Sequence, residues 1–273
     1  MLELSEIWVY PVKSLGGISL QEAQVTDRGL ELDRRWLLVD DSGRFLTQRE
    51  YPELALYRPE IAGDFLRITH RSSMETIDIP LRSVFSDATS RIQVTVWDDT
   101  IDAYEVSQVV TQWFTKRIGF PVRLVYMPDE SERKLDSNYA ITGKEINSFS
   151  DAYPFLIIGQ ASLDDLNGRL KVKVPMNRFR PNFVFSNGEA FEEDTWREFK
   201  IGDVSFAGVK PCDRCVMTTV DQEQGAISGK DPLKTLAQFR NFGNKVLFGQ
   251  NLIGLGFGTV RIGDSVRVLS FKK

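Results

Sequence analysis

The stretch Lys210-Pro211-Cys212-Asp213-Arg214-Cys215, running on into Val216-Met217-Thr218-Thr219-Val220-Asp221, carries both cysteines of the 273-residue chain. An arginine lies between the thiols, a proline precedes them and a β-branched run follows. A thiolate readily holds a soft or thiophilic metal, and a neighbouring guanidinium favours the thiolate while offering a planar fork to phosphate. These residues point to one cysteine ligating a metal that arrives on a phosphorylated cofactor. The β-branched run after Cys215 is expected to be a strand, which sets the pair in a β-rich surrounding.

Other uses of a cysteine pair fit less well. A zinc knuckle shares the two-residue gap, but a tetrahedral site needs two more ligands. No second cysteine pair exists, and the single histidine, His70, lies in the other half of the chain as a strand residue near the surface. A thioredoxin-type pair sits at the start of a helix, which the strand expected over residues 216–220 argues against. An iron–sulfur cluster takes four thiolates. Two unreactive buried cysteines remain the plain structural reading beside the metal-ligand one.

The formal charge of −4 is spread along the chain, leaving no electrostatic footprint for nucleic acid or an anionic membrane. Neither is expected as a partner. The opening residues Met1-Leu2-Glu3-Leu4-Ser5-Glu6 are acidic, without a basic region leading an apolar run, and no stretch approaches the length of an uncharged membrane span. The expectation is a soluble, cytoplasmic protein in a reducing compartment.

Residues 3–10 alternate polar and apolar up to Pro11 and predict a half-buried strand. It delivers Lys13-Ser14-Leu15-Gly16-Gly17, where two glycines would let a loop approach a ligand beside a positive charge and a hydroxyl; a turn with a solvated lysine is the plainer alternative. Arg34-Arg35-Trp36-Leu37-Leu38-Val39-Asp40, the turn Asp41-Ser42-Gly43-Arg44 and Phe45-Leu46-Thr47-Gln48-Arg49 predict a hairpin, with the paired arginines sent to opposite faces. An inward arginine requires an anion. Apolar residues from Val106 to Ile118 follow helical spacing and end at Gly119. Residues 127–147 read as a polar connector or lid, and the domain boundary is placed at residue 125, giving domains 1–125 and 126–273.

In the second half, Phe155-Leu156-Ile157-Ile158-Gly159 predicts a strand covered on both sides, and Ser162-Leu163-Asp164-Asp165 a capped helix start. Arg178 and Arg180 fall on one face of a segment read as extended, a placement suited to a phosphate or a pterin-like heterocycle; surface ion pairing is the alternative. Ile-Gly-Asp turns at 201–203 and 262–264 separate alternating strands, and Asp231-Pro232-Leu233 opens a short helix.

Tyr10-Pro11-Val12-Lys13-Ser14, Asp33-Arg34-Arg35-Trp36, Pro154-Phe155-Leu156-Ile157, Ala161-Ser162-Leu163, Phe179-Arg180-Pro181-Asn182, the cysteine stretch and Leu247-Phe248-Gly249-Gln250 together resemble the MOSC family, the molybdenum cofactor sulfurase C-terminal-like proteins. The resemblance covers nearly the whole chain and is to the branch holding the mitochondrial amidoxime-reducing components and stand-alone bacterial relatives. It implies a β-rich α+β fold, an N-terminal β-barrel-like domain packed on a C-terminal MOSC β-barrel with a few peripheral helices, and the molybdenum cofactor (Mo-molybdopterin) in the cleft between them. By the same resemblance Cys215 is the thiolate on molybdenum and the catalytic residue, with Cys212 a neighbour. Lys13, Ser14 and Arg34 reach the pterin phosphate, and Arg180, Asn182, Asp213 and Arg214 hold the cofactor from the second domain.

The implied activity is reduction of amidoximes, hydroxylamines or N-hydroxylated bases, with electrons from a separate flavin reductase or small iron–sulfur or haem carrier. A cofactor or persulfide-sulfur carrier without turnover is the alternative. Three positions depart from the family pattern: Asp213 replaces a serine, Ala152-Tyr153 replaces Thr-Ser, and Asn251 replaces an aromatic.

Overall fold

The alternation of the first residues forms a strand over Glu3–Val9, but its main partner lies far along the chain. It pairs antiparallel with Phe183–Ser186, setting Leu4 opposite Phe185 and Ile7 opposite Phe183. Leu4, Ile7 and Val9 thereby enter a core with Phe155, Phe183 and Phe206, where burial of each large side chain contributes roughly 1.5–3 kcal/mol. The computed structural model describes residues 1–81 and 91–272.

This strand belongs to a nine-stranded sheet dominated by the second half of the chain. Its order is Ile18–Leu20, Glu3–Val9, Phe183–Ser186, Phe155–Gly159, Lys245–Gly254, Val204–Asp213, Trp196–Ile201 and Val266–Phe271, with Asn241–Phe242 attached to Lys245–Gly254. Phe155–Gly159 is buried throughout, as its continuous apolar run predicts. A second stitch between the halves is made by Gly258–Arg261, which pairs with Glu22–Thr26. The expectation of a β-rich α+β fold holds: among the described residues three α-helices lie beside a strand-rich body, and the large sheet forms a half-barrel.

The first half adds two smaller sheets. One runs Trp36–Asp40, Val122–Tyr126, Asp99–Glu105, Arg91–Val96, and the other Tyr57–Ala62, Phe65–His70, Thr76–Pro80. The helix Gln108–Ile118 packs Val110 and Phe114 into their core; Ser107 caps its start and Gly119, at φ +90°, ends it.

Several local expectations are corrected. The hairpin return after Trp36–Asp40 is only a single bridge, Val39 to Phe45, and the full partner of that strand is Val122–Tyr126. Asp40 folds the turn back by accepting from the Ser42 and Arg44 amides, after which Glu50 and Tyr51 amides bond to the Thr47 carbonyl and curl the chain away. Ser162 is inside the helix Gln160–Arg169 rather than at its cap, because its hydroxyl is taken by buried Glu193. The β-branched residues after Cys215 form a 3-10 helix, Val216–Thr219, and only Val220–Asp221 is strand. Thr218 donates to the Cys215 carbonyl and Thr219 to that of Val216, so the hydroxyls favour the helical turn over the sheet. The cysteine pair therefore does precede a helical turn, though one of four residues. Met176–Arg178 is likewise a 3-10 helix, and Arg180 takes φ +54°, so Arg178 and Arg180 do not share an extended face.

Candidate functional site

The strand Glu3–Val9 carries Tyr10 into the middle of the molecule, where its ring is buried and two guanidinium groups lie over it. Arg34 is 4.4 Å and Arg180 4.2 Å from the ring centroid. The two arginines come from opposite halves of the chain and differ in their partners. Arg34 is paired with buried Asp33 and also donates to Asn182 Oδ1 at 3.3 Å. Arg180, 7% exposed, has no carboxylate or hydrogen-bond partner for its side chain among the described residues. Burial, with a contribution from Arg34, pulls its pKa down to about 10. Asn182 ties the first strand to the second half, donating to the Trp8 carbonyl at 3.1 Å and accepting from the Leu156 amide at 3.2 Å.

The loop after Tyr10 brings Lys13 and Ser14 to the same place. Gly17 serves packing: a Cβ there would stand 2.6 Å from the Tyr10 ring. The left-handed residue of the loop is Ser14, at φ +68°, and not a glycine, which corrects the sequence expectation. Lys13 is buried, donating to the Phe149 carbonyl at 2.8 Å and to Asp151 Oδ1 at 2.6 Å. Burial, aided by Arg133 and Arg49, lowers its pKa to about 8 against the pull of Asp151. The Asp151 carboxyl is held below the usual range because Lys13 and Arg49 outweigh its desolvation.

The guanidinium beside Cys215 is not the one next to it in sequence. Arg214 turns away, donating to the Phe248 carbonyl at 2.8 Å and the Phe179 carbonyl at 2.9 Å, and leaves its buried Nη2 without a partner among the described residues. Arg49 instead donates from Nε to Cys215 Sγ at 3.1 Å and from Nη2 to Asp151 at 2.9 Å. Cys212 packs against the apolar cluster around Phe179 and Phe248, and burial pushes its thiol up, only partly opposed by Arg214. Asp213, the last residue of its strand, is exposed.

All eight residues expected at the site line one cavity of about 610 Å³: Lys13, Ser14 and Arg34 from the first half, and Arg180, Asn182, Asp213, Arg214 and Cys215 from the second. Of the eight non-glycine residues with positive φ among the described residues, four line this cavity: Ser14, Arg34, Trp97 and Arg180. Backbone strain is thus concentrated where a ligand would be bound. Among the described residues no cluster of three or more His, Cys, Asp or Glu could cage a metal ion.

The MOSC N-terminal beta barrel domain profile matches residues 1–121, and the MOSC domain profile residues 144–267. Human mitochondrial amidoxime-reducing component 1 is 34% identical over 281 residues, spanning 97% of this chain and 82% of the relative. The chain belongs to the MOSC family. Rat mitochondrial amidoxime reducing component 2 is 35% identical over 96% of the chain and 82% of its own length. The molybdenum cofactor sulfurase of rice is 33% identical over 91% of the chain, a match to 32% of that longer protein.

In this MOSC protein three cavity residues escape a reading of the sequence alone: Arg49, Asp151 and Trp97. They form one contact chain, with Asp151 bridging Lys13 and Arg49 and the Trp97 ring 4.8 Å from the Arg49 guanidinium. The one readable signal is Trp97-Asp98 between two alternating strands, a bulky aromatic where a hairpin loop favours glycine or asparagine. Among the described residues no helix is long and apolar enough to cross a membrane.

Proposed function

We propose that the cavity binds a phosphorylated pterin carrying molybdenum and that the protein reduces N-hydroxylated compounds such as amidoximes, hydroxylamines and N-hydroxylated bases. The observation that carries this reading is the pairing, in one cavity, of the Cys215 thiol with Arg180, a buried cation that lacks an anion among the described residues. The chain's groups fit such a ligand. Arg180 supplies a desolvated guanidinium for phosphate, the unpartnered Arg214 Nη2 supplies a further donor, and the Ser14 hydroxyl makes no hydrogen bond to another described residue. Cys215 offers one thiolate, enough for a metal already held by an organic dithiolene but too little for a bare ion.

When bound, the cofactor supplies the two-electron redox chemistry by which an N–OH group becomes N–H with release of water. The protein's part is to hold and orient. Arg49 holds the Cys215 sulfur, Asp151 fixes Arg49, and the Tyr10 ring contacts the guanidiniums of both Arg34 and Arg180. Reduction of one amidoxime to amidine consumes two electrons and two protons, so a separate electron-donor protein, a flavin reductase or small iron–sulfur or haem carrier, is required.

Expression in a cofactor-replete host tests this. Wild type is expected to carry about one molybdenum per chain and to convert benzamidoxime to benzamidine with an artificial reductant, and Cys215→Ala to do neither. Wild type without molybdenum overturns the reading. The likeness to a molybdenum cofactor sulfurase favours, as the second reading, a carrier of cofactor or persulfide sulfur. A carrier would bind molybdenum yet leave benzamidoxime unchanged.

A further inference from the structure

Strands Arg91–Val96 and Asp99–Glu105 are joined by a two-residue loop, Trp97-Asp98. Trp97 takes φ +56°, and Asp98 is not among the residues with positive φ. A first loop residue in that conformation is where glycine is favoured, because a Cβ is disfavoured there and a bulky side chain makes the position an outlier. The indole is also not used to fill a core, since Trp97 is 46% exposed while lining the cavity. Its ring is nevertheless held in place before any ligand arrives. Phe45 meets it edge-on at 5.1 Å, the Arg49 guanidinium lies 4.8 Å from its centroid, and Nε1 points at Asp151 Oδ1, 3.3 Å away.

We infer that Trp97 is a specificity-determining residue that selects planar, conjugated N-hydroxylated substrates by stacking at the cavity mouth. The inference rests on the reductase reading of the cavity. The cation left free for a phosphate, Arg180, is 7% exposed, whereas Trp97, lining the same cavity, is 46% exposed. A flat ring on the entering molecule therefore meets the indole, and a cofactor anchored at the buried Arg180 lies further in. A conjugated substrate gains the ring contact, while an aliphatic one with the same polar group does not.

The test uses molybdenum-loaded wild type, Trp97→Gly and Trp97→Phe with benzamidoxime and acetamidoxime. Glycine at this position removes the backbone strain, so the variant keeps its fold. Trp97→Gly is expected to lower the benzamidoxime-to-acetamidoxime ratio of kcat/KM by roughly 3- to 10-fold, with Trp97→Phe retaining most of it. Calorimetry without reductant is expected to show the same loss in Kd for benzamidoxime and none for acetamidoxime, at unchanged molybdenum and pterin content. Equal losses for both substrates overturn the inference, as does loss of pterin from Trp97→Gly, which would assign the indole to the cofactor. If wild type turns over neither compound, the reductase reading fails, and the Kd ratio still decides the role of Trp97.

Discussion

Replacing Arg180 by methionine is expected to make the cofactor-free protein more stable and the cofactor-loaded protein harder to form. Among the described residues the guanidinium is buried without a counter-ion, and it and Arg34 lie 4.2 Å and 4.4 Å from the Tyr10 ring centroid. Burial pulls its pKa down from the usual guanidinium range to about 10, which corresponds to roughly 3 kcal/mol of unfavourable free energy for keeping the charge in place. Loss of the cation–π contact with Tyr10 returns about 1–2 kcal/mol of that, and methionine fills much of the same volume. The left-handed backbone, φ +54°, is no more costly for methionine than for arginine, so strain cancels. The net expectation is a gain of about 1–2 kcal/mol, a rise of about 2–4 °C in Tm for a chain of this size. Urea denaturation of cofactor-free wild type and Arg180→Met measures it. The same variant loses a charge-assisted phosphate contact of about 1.5–3 kcal/mol and is expected to retain at least 10-fold less molybdenum. The opposite signs are the diagnostic. A cofactor-free Arg180→Met protein less stable than wild type would show that the guanidinium is already satisfied, refuting the claim that it awaits an anion.

Arg49→Leu removes the donor to Cys215 Sγ and one of the two cations on Asp151; molybdenum retention is expected to fall by about 10-fold or more, with Arg49→Lys intermediate because an ammonium cannot fork between sulfur and carboxylate. Wild-type metal content in Arg49→Leu, measured by mass spectrometry, would remove Arg49 from the site. Lys13 carries a pH signature: its folded pKa, about 8, lies below the usual 10.5, so between those values the unfolded chain holds more protons and unfolding free energy rises with pH. The stability of wild type relative to Lys13→Met is expected to grow by up to about 3 kcal/mol from pH 8 to 10.5 in urea titrations of cofactor-free protein. A flat difference would show that Lys13 titrates normally.

What the sequence reveals and conceals follows from where each residue gets its conformation. Phe155–Gly159 is legible because a run of apolar residues long enough for one strand has no stable place except between two covered faces. Gly119 ends its helix for a local reason, a left-handed φ of +90° that glycine adopts freely. The large sheet is less legible, since nothing within residues 3–9 specifies that Phe183–Ser186 is the partner; that choice is made by the apolar faces they bury together. The eight expected site residues meet in one cavity, yet the direct donor to Cys215 is Arg49, 166 residues away in the chain. Adjacency suggested Arg214, but adjacent residues on a chain leaving a strand point apart, and Arg214 is taken by the Phe179 and Phe248 carbonyls.

The same reasoning explains why the site's backbone was hidden. A left-handed residue can be read in advance when it is glycine or asparagine, because the residue type itself favours the conformation. Ser14, Arg34, Trp97 and Arg180 have no such preference, so their positive φ values must be imposed by the surrounding structure. Substituting glycine would relieve each position locally, but it would also remove a hydroxyl, two guanidiniums or an indole from the cavity. That trade identifies these four positions as ones where local stability yields to ligand chemistry. It also predicts the direction of the glycine variants at Ser14, Arg34 and Trp97: a smaller stability loss than side-chain burial alone implies, together with a specific loss of what each side chain binds.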